Sequence, residues 1–151
     1  MTLVTQNVDD LHERGGSEDV WHMHGQLLQI FCVRCQMKSR WTTDLASTDL
    51  CWECGHLGSL RPDIVWFGEM PYFLDEIERA LQHAELFVAI GTSGVVYPAA
   101  GMVDVARDRG IPTIEFNIQK TEASRCFNES RIGPASVTVT GWVDGLLESY
   151  S

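Results

Sequence analysis

The feature that most constrains this chain is a spacing. Cys32 and Cys35 form one C-x-x-C, and after fifteen residues Cys51 and Cys54 form a second. Two residues between cysteines let a tight turn aim both sulfurs at one point, and two such turns supply four corners of a tetrahedron. Zinc favours four thiolates in that arrangement, and a closed set leaves no position open to substrate, so a structural ion is expected. A redox pair fits less well, because neither C-x-x-C opens a helix after a strand. His56, two residues after Cys54, offers a substitute ligand, but four cysteines suffice. Residues 26–60 show no sustained helical or strand period, so they read as a small module held by metal rather than by an apolar core.

Around this module the texture is that of an α/β protein. The chain has 151 residues, and 44% of them are hydrophobic, enough for a core in one domain. Strands are expected at 2–5, 63–67, 86–90, 113–116 and 137–140. Apolar residues at helical spacing predict a helix over 72–84, and Gly110 with Pro112 closes another over 98–109. A last helix is expected over 142–150. Strands alternating with helices of this length predict a parallel sheet covered on both faces.

The apolar runs are strand-sized, far short of the roughly 20 residues a bilayer requires, so the chain reads as soluble and cytoplasmic with no membrane partner. A formal charge of −10 argues against nucleic-acid binding, which needs a cationic surface, and suits basic protein tails. Five cysteines in a leaderless chain are expected to stay reduced, with Cys126 standing alone.

The polar run Thr5-Gln6-Asn7-Val8-Asp9 follows directly on a predicted strand, where open α/β sheets place their ligands. After it come Leu11-His12, then His24-Gly25, the paired cysteines, and Val65-Trp66-Phe67-Gly68-Glu69. Gly91-Thr92-Ser93, Pro98-Ala99-Ala100 and Asn117 complete the series. In this order and spacing the motifs resemble the catalytic core of the sirtuins, across nearly the whole chain. The resemblance implies a Rossmann-like domain, residues 1–25 and 61–151, with a zinc module inserted at 26–60. It implies removal of an acyl group from a protein lysine, consuming NAD and releasing nicotinamide and an O-acyl-ADP-ribose.

By the same resemblance His24 is the general base, a task that suits imidazole with its unperturbed pKa of about 6.5. His22 is read as structural. Gln6, Asn7, Val8 and Asp9 match contacts to nicotinamide and its ribose, while Gly91, Thr92, Ser93, Asn117, Ile118, Gln119 and Ala135 match further NAD contacts. An acylated-lysine peptide is expected to pair as a strand between Val65, Trp66, Phe67, Gly68 and Glu69 on one side and Gly94, Val95 and Tyr97 on the other. Sirtuins also carry a glycine-rich G-A-G-x-S loop that cradles the pyrophosphate, and it does not occur in this sequence. Weak NAD binding by these 151 residues alone is therefore expected. Two readings stand side by side: a deacylase, and a catalytically inactive, zinc-stabilised domain of sirtuin type.

Overall fold

The computed structural model describes residues 1–94 and 96–149. The chain divides into two compact units, Met1–Glu78 and Arg79–Ser151.

In the first unit, β1 (Leu3–Thr5) pairs in parallel with β2 (Val20–His22), Thr5 lying opposite His22. The polar run and a short helix, α1 (Leu11–Arg14), connect them. From His22 the chain passes through Met23 and His24 into β3 (Gly25–Cys32). This strand is the centre of an antiparallel sheet, flanked by β4 (Lys38–Arg40) and β5 (Leu60–Ile64). Gly25 decides whether that sheet can close. Its φ is +84°, and a Cβ placed there would lie 2.0 Å from the carbonyl oxygen of Asp63. Only glycine allows β5 so near.

Residues 26–60, without a sustained strand period in sequence, nonetheless supply most of β3 and all of β4. The β3–β5 register shifts between Gln26 and Ile30, and such a bulge breaks the period-two signal that marks a strand in sequence. The strand expected at 63–67 begins earlier, at Leu60, and ends at Ile64. Pro62 is tolerated because β5 is an edge strand. Apolar burial in this unit is sparse: Met23, Ile30, Cys32, Cys51 and Ile77 among the described residues.

The second unit holds three parallel strands in the order β6 (Phe87–Ile90), β7 (Thr113–Asn117), β8 (Glu129–Ile132). Helix α2 (Leu74–Gln82) bridges the division between the units. A 3-10 turn at Ala99–Gly101 runs into α3 (Met102–Asp108), which buries Val103 and Ala106. β7 is the central strand, with Thr113, Glu115 and Phe116 buried. The parallel strands expected to share one sheet are thus hydrogen-bonded as a pair and a triplet among the described residues.

The strand expected at 137–140 is helical, part of α4 (Ala135–Ser149). Its β-branched run, Val137 to Val139, is a weak prior that local bonding overrides. Thr138 and Thr140 donate their hydroxyls to the carbonyls of Pro134 and Ser136, four residues back, so neither competes for strand pairing. Trp142 then meets Phe116, ring centres 5.3 Å apart, and anchors α4 on β7. Tyr150, expected on the apolar face of this helix, lies outside the described residues. No helix among the described residues is long and apolar enough to cross a membrane.

Phe116 is 1% exposed and makes the anchor for α4. Phe116→Ala is therefore expected to cost about 3–5 kcal/mol of unfolding free energy, measured by chemical denaturation of the 151-residue chain.

Candidate functional site

The two cysteine turns are built alike. The Cys32 carbonyl accepts from Gln36 N at 2.9 Å, and the Cys51 carbonyl from Gly55 N at 2.7 Å. Both donor residues have positive φ, +64° and +71°. The turns face each other, Cys32 Sγ 3.7 Å from Cys54 Sγ and Cys35 Sγ 3.6 Å from Cys51 Sγ. All four sulfurs lie within 4.8 Å of one another.

Sulfurs about 2.3 Å from a shared zinc ion stand about 3.8 Å apart at tetrahedral angles, so this cluster fits the ion. Left to themselves, the thiols do not ionise alike. The hydrogen bond between Cys32 and Ser59 brings the Cys32 thiol down to about 5 despite its burial. The Met37 N–H favours a Cys35 thiolate, but burial and the other three sulfurs outweigh it and push that thiol up to about 12. A doubly charged cation removes the conflict. The four cysteines are positioned to bind one zinc ion, with no open coordination position. His56 turns away, its Nδ1 beside the Cys54 carbonyl and its Nε2 on Arg34.

His24 follows β2, where the chain crosses the polar turn after β1. Its Nδ1 lies 3.1 Å from the carbonyl oxygen of Gln6. A carbonyl only accepts, so Nδ1 carries the hydrogen and the neutral ring keeps its lone pair on Nε2. His22 differs, because both of its nitrogens are engaged. Nδ1 meets the Asn7 carbonyl at 3.2 Å, and Nε2 meets Glu13 Oε1 at 2.6 Å. That contact holds the Glu13 carboxyl below its ordinary range.

The turn itself is fixed locally. Thr5 Oγ1 accepts from Asn7 N, Asp9 Oδ1 from Leu11 N, and the Val8 carbonyl from Leu27 N. The Asn7 side chain is exposed, and Gln6, Val8 and Asp9 are half-buried.

Beyond β5, Val65 N donates to the His24 carbonyl at 2.9 Å, which ties this segment to the histidine. Trp66 and Phe67 are not core residues; they are 54% and 102% exposed. A residue not singled out by the sequence, Arg61, shapes the turn. Its guanidinium lies 3.9 Å from the Trp66 ring and grips Glu69 with two bonds of 2.6 and 2.7 Å. Glu69 Oε2 also accepts from Trp66 N. Gly68, at φ +89°, completes the bend. The sequence signal for Arg61 is slight: a lone cation eight residues before a carboxylate.

In the second unit the expected contacts collect after the carboxyl ends of parallel strands. Gly91, Thr92 and Ser93 follow β6; Asn117 ends β7, with Ile118 and Gln119 beyond it; Ala135 opens α4 after β8. Asn117 Nδ2 donates to the Thr92 carbonyl at 2.8 Å, and its Oδ1 accepts from Ile118 N. One side chain thereby joins the ends of β6 and β7. Gly94, at φ +67°, would bring a Cβ within 2.4 Å of the Ala123 Cβ. Tyr97 is 75% exposed. Val95 lies outside the described residues.

Two expected outcomes follow from this geometry. Metal analysis of protein purified without chelator gives one zinc per chain, and Cys51→Ser, at a buried ligand, loses it with a large fall in melting temperature. Arg61 and the Trp66 N–H together hold Glu69 down to about 2, against 4.5 ordinarily. Its contribution is therefore present above the ordinary carboxylate range and is lost as pH falls through about 2. Carboxyl NMR of Glu69 over an acid titration checks this, and in Arg61→Gln its midpoint rises toward 4.5.

Comparison with known proteins gives concordant relatives. The Sir2 family profile matches residues 1–98. The NAD-dependent protein deacylase SIR2rp3 of Leishmania major is 53% identical over 147 residues, which cover 97% of this chain and 60% of that protein. An NAD-dependent protein deacylase of Bdellovibrio bacteriovorus is 50% identical over 146 residues, covering 97% of this chain and 61% of that one. The chain thus spans about three fifths of the length of these two relatives. A solved complex of a Sir2 homologue with NAD matches with TM-score 0.92 and 36% identity, covering 100% of this chain and 60% of that one. Sir2Af2 bound to a myristoylated histone peptide matches with TM-score 0.80 and 30% identity, covering 99% and 67%. With a profile match over most of its length and half its residues shared with named deacylases, this chain belongs to the Sir2 family.

Proposed function

We propose that this chain serves an NAD-dependent protein-lysine deacylase, and that His24 is its general base. The observation that carries the reading is the Nδ1 contact of His24 with the Gln6 carbonyl, because it leaves Nε2 as the proton acceptor. NAD, when bound, supplies an electrophilic ribose carbon and a neighbouring hydroxyl to which the acyl group is transferred. His24 Nε2 takes up the proton of that hydroxyl. Gln6 and Asn7 offer amide donors and acceptors, and Asp9 keeps Oδ2 free of the α1 contact, a set that suits a carboxamide and ribose hydroxyls.

In the second unit, Gly91, Thr92, Ser93, Asn117, Ile118, Gln119 and Ala135 serve the remainder of the dinucleotide. Their position after parallel strands is where such sheets bind nucleotides. Gly94, Val95 and Tyr97, and in the first unit residues 65–69, serve an extended acyl-lysine peptide through backbone pairing. The exposure of Trp66 and Phe67 supports this, since neither is buried in the core. The charge of −10 favours basic segments as substrates. Reduced cysteines for the metal suit the cytoplasm as the place of action. The names of the relatives and the acylated peptide held by Sir2Af2 agree with the reading.

The test joins this chain to the part of the Bdellovibrio deacylase that it does not span, and measures NAD-dependent release of acetyl from a lysine peptide. His24→Ala is expected to lower kcat by about 10²–10⁴-fold, the usual worth of a positioned base. His22→Gln, which keeps the buried site polar, is expected to retain most of the activity. Equal losses from both substitutions, or no turnover in the unsubstituted chimera, would sink the assignment.

A further inference from the structure

Three side chains of the first unit meet where no sequence pattern brings them together. Asp63, on β5, is 4% exposed. Its Oδ2 lies 2.8 Å from Lys38 Nζ, and its Oδ1 accepts from the Tyr72 hydroxyl at 2.6 Å. The Lys38 ammonium also stands 4.0 Å from the centre of the Tyr72 ring. Each of the three therefore touches the other two. Burial lowers the proton affinity of Lys38, but its bonds to Asp63 and Tyr72 outweigh this and raise it. Burial, together with Asp63, raises Tyr72 as well. Lysine stays cationic and the phenol stays a donor through the neutral range.

A buried ion pair of this kind returns little net stability over well-packed apolar groups, and its best-attested use is to fix one geometry among several. The backbone shows which geometry is at stake. Tyr72 N donates to the Met23 carbonyl at 2.9 Å, and Val65 N to the His24 carbonyl at 2.9 Å. Two consecutive carbonyls, at His24 and just before it, are thus held by Tyr72 and by the continuation of the Asp63 strand. Asp63 is the atom bridge between those two holders. Lys38 extends the tie to the cysteine turns, for it lies on β4, next to Met37, whose carbonyl accepts from Cys32 N at 2.9 Å.

We propose that Asp63, with Lys38 and Tyr72, is the positioning group for His24. The carboxylate locks Tyr72 against β5, their backbone N–H groups hold the 23 and 24 carbonyls, and that grip aims the imidazole at Gln6. The proposal rests on the reading of His24 as the base, but its test uses no turnover. A failure here therefore stays distinct from a failure of the deacylase assignment.

The test uses the 151-residue chain, purified with zinc and labelled with ¹⁵N-histidine. Ring nitrogen shifts report the His24 tautomer, and the exchange rate of its Nδ1–H with water reports the bond to Gln6. Asp63→Asn and Tyr72→Phe are expected to mix the two tautomers and to speed that exchange about tenfold, the equivalent of about 1.4 kcal/mol in the bond. Lys38→Met, which leaves the carboxylate without its cation, is expected to move the signals the same way. The His22 signals, held by Glu13 and Asn7, stay where they are. If Asp63 only stabilises the fold, the variants melt earlier while the His24 tautomer and exchange rate remain those of the unsubstituted chain, and the proposal is overturned. Should Asp63→Asn fail to fold, Tyr72→Phe carries the test alone, because it removes a single oxygen.

Discussion

Four sulfurs within 4.8 Å of one another set the terms for the first unit. They cannot all ionise without a cation among them, and as neutral thiols they make only weak hydrogen bonds. A zinc ion turns this repulsion into the strongest set of bonds available to residues 26–60, which bury little else. Ile30 and the two cysteines Cys32 and Cys51 are the buried apolar groups that the described part of this stretch contributes. The antiparallel sheet is therefore closed at one end by metal and at the other by Gly25, where only a missing side chain lets β5 approach. Between these two fixed points lie Lys38 and Asp63, and just beyond the glycine lies His24. The histidine proposed as the base thus lies just before the Gly25 end of β3, and the cysteine cluster begins at its other end.

What the sequence disclosed, and what it withheld, follows from the same physics. Cysteine spacing is legible because a ligand set has to obey the geometry of one ion, whatever surrounds it. The strands at 86–90 and 113–116 are legible because each is a short run rich in β-branched and aromatic residues, bounded by turn and loop residues. β3 was not, since its bulge shifts the side chains out of alternation midway. β8, with the sequence Glu129-Ser130-Arg131-Ile132, is a polar edge strand and carries no apolar rhythm. The helix over 137–140 was hidden by valine and threonine, whose preference for strands is a preference for packing surfaces rather than a rule of the backbone. The cluster of Lys38, Asp63 and Tyr72 left no trace at all, because three residues from three separate segments become neighbours only through register.

The two units apply one rule to the binding of polar groups. After β1 in the first and after β6 and β7 in the second, small and amide-bearing residues follow the carboxyl end of a parallel strand. Many of their hydrogen bonds are spent on the turns themselves: Thr5 on Asn7, Asp9 on Leu11, Thr92 on Gly94, Asn117 on both Thr92 and Ile118. Such bonds fix the remaining lone pairs and N–H groups before any ligand arrives. That is preorganisation in the ordinary sense, in which ordering is paid for during folding and not again on binding.

The contrast between His22 and His24 carries this argument to the reacting atom. The two residues are separated only by Met23, and both turn Nδ1 to a backbone carbonyl of the same polar run. They differ in what meets Nε2. At His22 it is a carboxylate oxygen of Glu13 at 2.6 Å, in a site only 2% exposed. That nitrogen is committed, and the ring is a strut between α1 and the turn. At His24 the carbonyl of Gln6 fixes the tautomer without bringing a second charge, and the residue is half-buried rather than fully enclosed. A base needs its orientation imposed through the nitrogen that does no chemistry, and its other nitrogen left for the substrate proton. Of the two histidines, His24 alone meets both conditions, and it does so through main-chain groups that residues 65 and 72 hold in place.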